Sequence, residues 1–203
     1  MYWLGLDVGT GGSRALLIDA AGHPCYSFVA PHEEIRMLRP MWAEQAPEDW
    51  WRAGQLAIQG VLREAGIDGS AVRGVGLTGQ MHGLVLLDER RKVIRPALIW
   101  CDQRSQPQVD LINQTLGFGT VLRYTANPVL TGFTLPKLLW VRDHEPEKFA
   151  AVRTVLLPKD YLRFKLSGDF ATDVSDASGT ALFDVANRQW SDGMVSGLGL
   201  ERS

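Results

Sequence analysis

The stretch GLDVGTGGSRALLID, which begins at Gly5, constrains the fold more than any other part of this chain. It places one carboxylate, Asp7, and a glycine-rich turn between two short apolar runs of β-strand character. Glycines beside an acidic residue are typical of a turn that a negatively charged group approaches closely, because no Cβ stands in the way. The class of anion-binding turn therefore decides the class of fold.

Two familiar phosphate-binding motifs do not fit this turn. A Walker A loop needs G-x-x-x-x-G-K-[ST] before a helix, whereas this turn has no lysine and is followed by the strand-like run ALLID. A dinucleotide-binding fingerprint needs three spaced glycines before a helix, and Arg14 stands where the third glycine should be. What remains is a glycine-rich turn inside a β-hairpin.

The backbone N–H groups of such a turn can form a concave nest for an anion. The predicted phosphate-binding residues are Gly9, Thr10, Gly11, Gly12, Ser13 and Arg14. Since Asp7 would repel a bare phosphate, we expect a hard cation between them, and Mg²⁺ is the usual partner of carboxylate and phosphate together. Taken by itself, the turn is equally compatible with a tight hairpin and a solvated aspartate.

The remaining pattern predicts a mixed sheet with helices packed on it. YWLGLDVG, SRALLIDAAG and PCYSFVAPH predict three strands joined by turns, which is an antiparallel meander. QAPEDWWRAGQLAIQGVLREAGI predicts a helix with Pro47 at its first position and Gly66 at its stop, and AVRGVGLTG predicts the next strand. Further helices are predicted in SQPQVDLINQTLG, TLPKLLWVRDHEP and PKDYLRFKLSG. The order β-β-β-α-β is typical of a mixed α/β architecture.

Composition argues against several classes of protein. The 203 residues carry 21 basic and 23 acidic side chains without a basic stripe, so no nucleic-acid partner is expected. No apolar run approaches the roughly 18 residues that span a bilayer, so no membrane partner is expected either. The scattered histidines and the unpatterned Cys25 and Cys101 argue against structural zinc and suit a reducing compartment. MYWLGLDVG lacks the basic start of a signal peptide, so we expect a cytoplasmic protein.

Five further segments follow the glycine turn in an order and spacing that resemble the FGGY carbohydrate kinases. They are MWAEQAPEDWW, GLTGQMHGLVLLD, WCDQR, LPKDYLRFKLSG and ATDVSDASGT, and they cover nearly the whole chain. The resemblance implies an α/β, ribonuclease H-like fold of the actin, hexokinase and heat-shock ATPase type, with a mixed five-stranded sheet and helices on both faces. It also implies that residues 1–203 form an FGGY-type N-terminal sugar-binding domain.

The same resemblance implies a transferase that uses ATP and Mg²⁺ to phosphorylate a sugar. Asp7 would organise the metal through water, beside the phosphates. The general base and most of the nucleotide site would lie in a C-terminal domain beyond Ser203, so these residues alone are expected to have little or no turnover. A homodimer is expected for the full-length enzyme.

The segment GQMHG is the first candidate for sugar contacts. Met81 offers a polarizable surface to the C–H face of a sugar, and His82 can hydrogen-bond a hydroxyl. In isolation, a core methionine and a buried, satisfied histidine would explain the segment better. The resemblance favours sugar contacts, because Met-His is the pattern of the family members that act on D-xylulose, whereas glycerol-specific members carry Arg-Glu. Gluconate, ribulose or a related polyol is the alternative substrate, and a non-catalytic sugar-binding module is the alternative function.

The segment IWCDQR is the second candidate. Trp100 could form an aromatic wall beside the sugar, and Asp102 could bind its hydroxyls. Asp102 and Arg104 could equally form a structural ion pair. By contrast, Trp50 and Trp51 are expected to be core anchors. Glu44 and Gln45 are expected to stabilise the loop before the helix that begins at Pro47, with a contact to a lid as the alternative.

Overall fold

The computed structural model describes residues 1–201, which fold as two compact units of interleaved segments. The sheet unit comprises Met1–Glu34, Gln45–Gln80 and Pro158–Phe170. The helical unit comprises Ile35–Glu44, Met81–Leu157 and residues 171–201. The last two residues of the expected domain 1–203 lie outside the described residues.

Strands predominate up to residue 98, and helices predominate after it. The strands are β1 (Tyr2–Val8), β2 (Gly12–Asp19), β3 (Pro24–Pro31), β4 (Glu44–Gln45), β5 (Val72–Gly79), β6 (Val85–Leu87), β7 (Ala97–Leu98), β8 (Thr154–Leu156), β9 (Phe183–Asp184) and β10 (Gln189–Trp190). The helices are α1 (Pro47–Ala65), α2 (Gln106–Leu116), α3 (Phe118–Thr125), α4 (Thr134–His144), α5 (Pro146–Ala151), α6 (Pro158–Ser167), α7 (Val174–Ser178) and α8 (Asp192–Ser196).

The sheet unit is built on a four-stranded sheet of order β3-β2-β1-β5. The strands β1, β2 and β3 form the predicted antiparallel meander, and β5 joins β1 in parallel after α1 crosses over. The predicted mixed α/β fold is therefore confirmed. Because β1 and β5 are parallel, the glycine turn after β1 and the loop after β5 leave the sheet at the same edge.

Two details of the expected sheet are wrong for the described residues. The sheet has four strands rather than five, because β6 pairs with β8 and β7 belongs to a separate two-stranded sheet. Runs as short as VLL carry no signal that selects their partner strand. Helices cover one face rather than both: Gly54 of α1 lies against Leu162 of α6 and Leu6 of β1, while Trp3 and Asp7 on the opposite face are exposed.

Helix α1 packs its small residues against the sheet. It begins at Pro47, carries acidic residues in its first turn, and ends at Gly66 with a left-handed φ of 64°, as predicted. A Cβ at Gly60 would overlap the ring of Phe28 in β3, so glycine is needed for this close approach. Trp50 is fully buried, which confirms it as a core anchor, whereas Trp51 is only partly buried.

Helix α4 lies at the centre of the helical unit. All eight residues from its start to Val141 are buried, and it contributes to two hydrophobic clusters. A helix buried all round needs no polar face. Lys137, fully buried in this helix, is therefore the residue that local packing does not explain.

Candidate functional site

The glycine turn is a tight connection between β1 and β2. The N–H of Gly9 donates to the carbonyl oxygen of Gly12 at 3.0 Å, which closes the turn. A Cβ at Gly12 would lie 2.8 Å from the carbonyl oxygen of Ala30, so the neighbouring strand requires a glycine there. A Cβ at Gly11 would meet no heavy atom of the described residues within 4 Å. Packing among the described residues therefore does not require glycine at position 11, as it does at position 12.

Asp7 lies one residue before the end of β1 and is exposed. Its neighbours across the sheet are Arg14 on β2 and Thr78 on β5. Among the described residues, no group of three His, Cys, Asp or Glu side chains could hold a metal ion. A single accessible carboxylate beside a glycine-rich turn is compatible with Mg²⁺, which keeps most of its waters and binds through one or two carboxylates plus phosphate oxygens.

Ser13 differs from the other predicted phosphate-binding residues. Its side chain is fully buried on the helix-covered face, and its hydroxyl is 2.9 Å from Nε2 of His32. Arg14, the next residue, is exposed on the opposite face. The prediction that the Ser13 hydroxyl contacts phosphate gains no support from this geometry.

His82 lies in the loop after β5, and contacts with Phe133 and Gly179 hold its ring in one orientation. His82 has a left-handed φ of 63°, its ring stacks on Phe133 with centroids 4.7 Å apart, and its Nδ1 lies 2.9 Å from the carbonyl oxygen of Gly179. A Cβ at Gly179 would come within 2.6 Å of Nδ1, so the ring fits because position 179 is glycine. Met81, beside it, is 55% exposed.

These contacts also set the tautomer of His82. A carbonyl oxygen can only accept, so Nδ1 must carry the proton that it donates to Gly179. Burial lowers the pKa of His82, although the Gly179 contact opposes that shift, so the ring is neutral at neutral pH. Nε2 is then an acceptor, which suits a ligand hydroxyl that donates.

The backbone of the same loop is fixed by α4. Lys137 Nζ donates to the carbonyl oxygens of His82 at 3.0 Å and Gly132 at 2.6 Å, and the Thr134 hydroxyl donates to that of His82 at 3.3 Å. Burial lowers the pKa of Lys137 to about 7, while nearby Asp102 acts in the opposite direction. Sequence reasoning missed Lys137, although a lone charge in the apolar run TLPKLLW was a signal.

Trp100 and Asp102 have different environments. Trp100 is 47% exposed, as a stacking surface requires, and its carbonyl oxygen would lie 2.7 Å from a Cβ at Gly132. Asp102 is fully buried; it accepts from Arg104 Nε at 2.9 Å and from the backbone N–H of Ala43 at 2.7 Å. Its carboxylate therefore forms the structural ion pair with Arg104, and the prediction that Asp102 binds substrate gains no support.

Comparison with known proteins identifies the class. The model of the FGGY family of carbohydrate kinases, N-terminal domain, matches residues 2–203. The chain belongs to the FGGY family of carbohydrate kinases.

Individual relatives within this family are similar to the chain to different degrees. A xylulose kinase from Escherichia coli (strain K12) is 41% identical over 202 residues, which are 98% of this chain and 40% of that protein. The crystal structure of a xyloylose kinase from Brucella ovis matches with a TM-score of 0.94 and 40% identity, over 98% of this chain and 41% of that one. A gluconate kinase structure from Lactobacillus acidophilus has a TM-score of 0.90 at 24% identity, over 98% of this chain and 40% of that one, which shows a shared fold.

This chain therefore spans about 40% of the length of these relatives. Within residues 1–201, no helix is both long and apolar enough to cross a bilayer.

Proposed function

We propose that this chain is the N-terminal lobe of a kinase that transfers the γ-phosphoryl group of ATP to D-xylulose, giving D-xylulose 5-phosphate. The observation that carries the proposal is the fixed loop of Met81 and His82, in a chain that is 41% and 40% identical to two xylulose kinases over 98% of its length. The exposed thioether of Met81 suits the C–H face of a sugar, and Nε2 of His82 suits a donating hydroxyl. The exposed indole of Trp100 adds an apolar wall.

The glycine turn is assigned to the phosphate side of the reaction. Phosphoryl transfer requires positioning and charge neutralisation rather than covalent chemistry from the protein. In this proposal the N–H groups around Gly11 face phosphate oxygens, Arg14 adds a positive charge, and Asp7 holds Mg²⁺ through water. When bound there, the metal would neutralise negative charge on the phosphoryl group that is transferred.

The proton acceptor for the sugar hydroxyl is not assigned to a residue of this chain. We expect it, with most of the nucleotide contacts, in a C-terminal domain, so residues 1–203 alone should show little or no turnover. The homodimer expected for the full-length enzyme stays a prediction.

A substrate panel on the full-length enzyme tests the proposal. ADP release should depend on D-xylulose with a higher kcat/KM than on D-ribulose, gluconate or glycerol, and the product should carry phosphate on its terminal carbon. A preference for gluconate or ribulose would support another specificity within the family. Tight sugar binding without ADP release would favour a binding module.

A further inference from the structure

Two buried glutamine side chains reach the carbonyl groups of the glycine turn. Gln45 Nε2 donates to the carbonyl oxygen of Thr10 at 2.8 Å. Gln80 Nε2 donates to Gln45 Oε1 at 3.0 Å and, more weakly, to the carbonyl oxygen of Gly9 at 3.4 Å. Gln45 is the last residue of β4, two residues before α1, and Gln80 directly follows β5. The turn is thus braced by two amides and by His32, whose backbone N–H donates to the carbonyl oxygen of Gly11 at 3.1 Å, in addition to its own hydrogen bond.

Trp50 determines which way the Gln45 amide faces. Its indole Nε1–H lies 3.1 Å from Gln45 Oε1, and an indole N–H can only donate. The atom that it meets must therefore be the amide oxygen, which leaves Nε2 to face Thr10. A reversed amide would place two donors against each other at Trp50 and two acceptors against each other at Thr10.

This arrangement sets the direction of the backbone N–H groups. All described peptide bonds are trans, so each N–H points opposite to the carbonyl of the same peptide unit. With the carbonyls of Gly9 and Thr10 directed at the glutamines, the N–H groups of Thr10 and Gly11 point away from them. Two successive N–H groups aimed to one side form the nest that binds an anion.

Stability alone does not explain the second glutamine. Gln80 is 8% exposed, and its Oε1 has no hydrogen-bond partner among the described residues. An unsatisfied buried acceptor is costly, and this cost offsets part of what the two bonds from Nε2 contribute to folding. A group that is costly to bury and that touches the turn is better explained by what it does to the turn.

We propose that Gln45 and Gln80, oriented by Trp50, are positioning residues for phosphoryl transfer. They hold the carbonyls of Gly9 and Thr10 inward so that the following N–H groups face the phosphates of the nucleotide. This inference rests on the proposed function of the turn. Neither glutamine touches the reacting atoms, and both act through the backbone.

The variants Gln45→Met and Gln80→Met in the full-length enzyme test the inference. Each keeps the side-chain length and removes the donors, and Gln80→Met also removes the unsatisfied acceptor, so its folding cost should be the smaller. Gln55→Met, at an exposed position of α1, is the matched control. We expect kcat/KM for ATP to fall about 10- to 100-fold in both variants, as when a transition-state donor is misplaced, with KM for the sugar within about twofold.

The outcomes separate this inference from the proposed function. If the folded Gln80→Met enzyme keeps the kcat and the ATP KM of the Gln55→Met control, the glutamines only support the fold and the inference is overturned. An equal rise in both KM values would overturn it as well, because that pattern indicates general loosening. If the wild-type enzyme prefers another sugar, the same comparison is made with that sugar; if it has no sugar-dependent turnover at all, the proposed function fails first.

Discussion

The glycine turn of the sheet unit and the Met81–His82 loop of the helical unit both have their carbonyl groups held from the protein interior. In the turn, the donors are the neutral amides of Gln45 and Gln80. In the loop, the donor is the ammonium group of Lys137, whose pKa burial lowers to about 7. Amides do not titrate, whereas this lysine changes charge near neutral pH. The same structural task is thus done by one support that does not titrate and by another whose charge changes near neutral pH.

The largest expected effect is on kcat, and it should distinguish the glycine turn from the Met81–His82 loop. Asp7→Asn in the full-length enzyme removes the charge assigned to Mg²⁺, and loss of such transition-state stabilisation should lower kcat about 10²- to 10³-fold. The KM for D-xylulose should change little, because Asp7 belongs to the turn and not to the loop. Steady-state kinetics with both substrates varied will check this. Full kcat at saturating Mg²⁺ would show that Asp7 is only a solvated strand residue.

The second prediction tests whether a ligand binds against Gly11 in the glycine turn. Gly11→Ala adds a methyl group that meets no described protein atom within 4 Å, and no left-handed φ is required there, so the folding cost should be small. It should nevertheless lower kcat/KM for ATP about 10- to 100-fold by displacing the phosphates. Gly76→Ala in β5, where a Cβ is equally unhindered, is the control. Equal activity of the two variants, at equal thermal midpoints, would mean that nothing binds against Gly11.

A smaller effect is expected in the sugar loop. Gly179→Ala should push the His82 ring out of place, since the new Cβ would lie within 2.6 Å of Nδ1. We expect it to raise the KM for D-xylulose about tenfold, the cost of roughly one lost hydrogen bond to the ligand, and His82→Ala to do the same. The double variant should be no worse than either single one, because both remove the same contact. Gly119→Ala in α3, at an unhindered position, controls for the added methyl group. Additive effects in the double variant would show that Gly179 acts independently of His82.

The sequence predicted the strands and helices better than it predicted the contacts between distant side chains. Pro47 and Gly66 delimit α1 because the signals for a helix start and stop are local, and the meander follows from turns between strand-like runs. The contacts that fix the candidate site connect distant positions: Lys137 donates to a carbonyl oxygen 55 residues earlier in the chain. Nothing near Lys137 in sequence shows which loop returns to it. Asp102 and Arg104 illustrate the same limit, because their spacing fits a ligand contact and an ion pair alike until burial decides.

The smallest kinetic effect is expected on replacing Lys137. The pH dependence of folding stability distinguishes this lysine, which holds the His82 carbonyl, from the glutamine amides that hold the glycine turn. The unfolded chain holds Lys137 charged up to its ordinary pKa of 10.5, whereas the folded chain releases the proton above about 7. Between these values the unfolded state binds more protons, so folding stability must rise with pH. Relative to Lys137→Met, the wild-type free energy of unfolding should rise by up to about 1.4 kcal/mol per pH unit inside this window.

The groups that act on Lys137 are Asp102, Arg104 and Cys101, and burial raises the pKa of the Cys101 thiol. Both proteins should therefore be compared in a Cys101→Ser background, by urea unfolding from pH 7 to 9.

Lys137→Met should also raise the KM for D-xylulose a few-fold. The effect should be small because the Thr134 hydroxyl still donates to the His82 carbonyl and retains part of the loop geometry. Gln45→Met should show no such pH-dependent difference from wild type. A flat difference between wild type and Lys137→Met would mean that the lysine stays charged when buried, and the contrast between the two supports would then be one of geometry and not of pH.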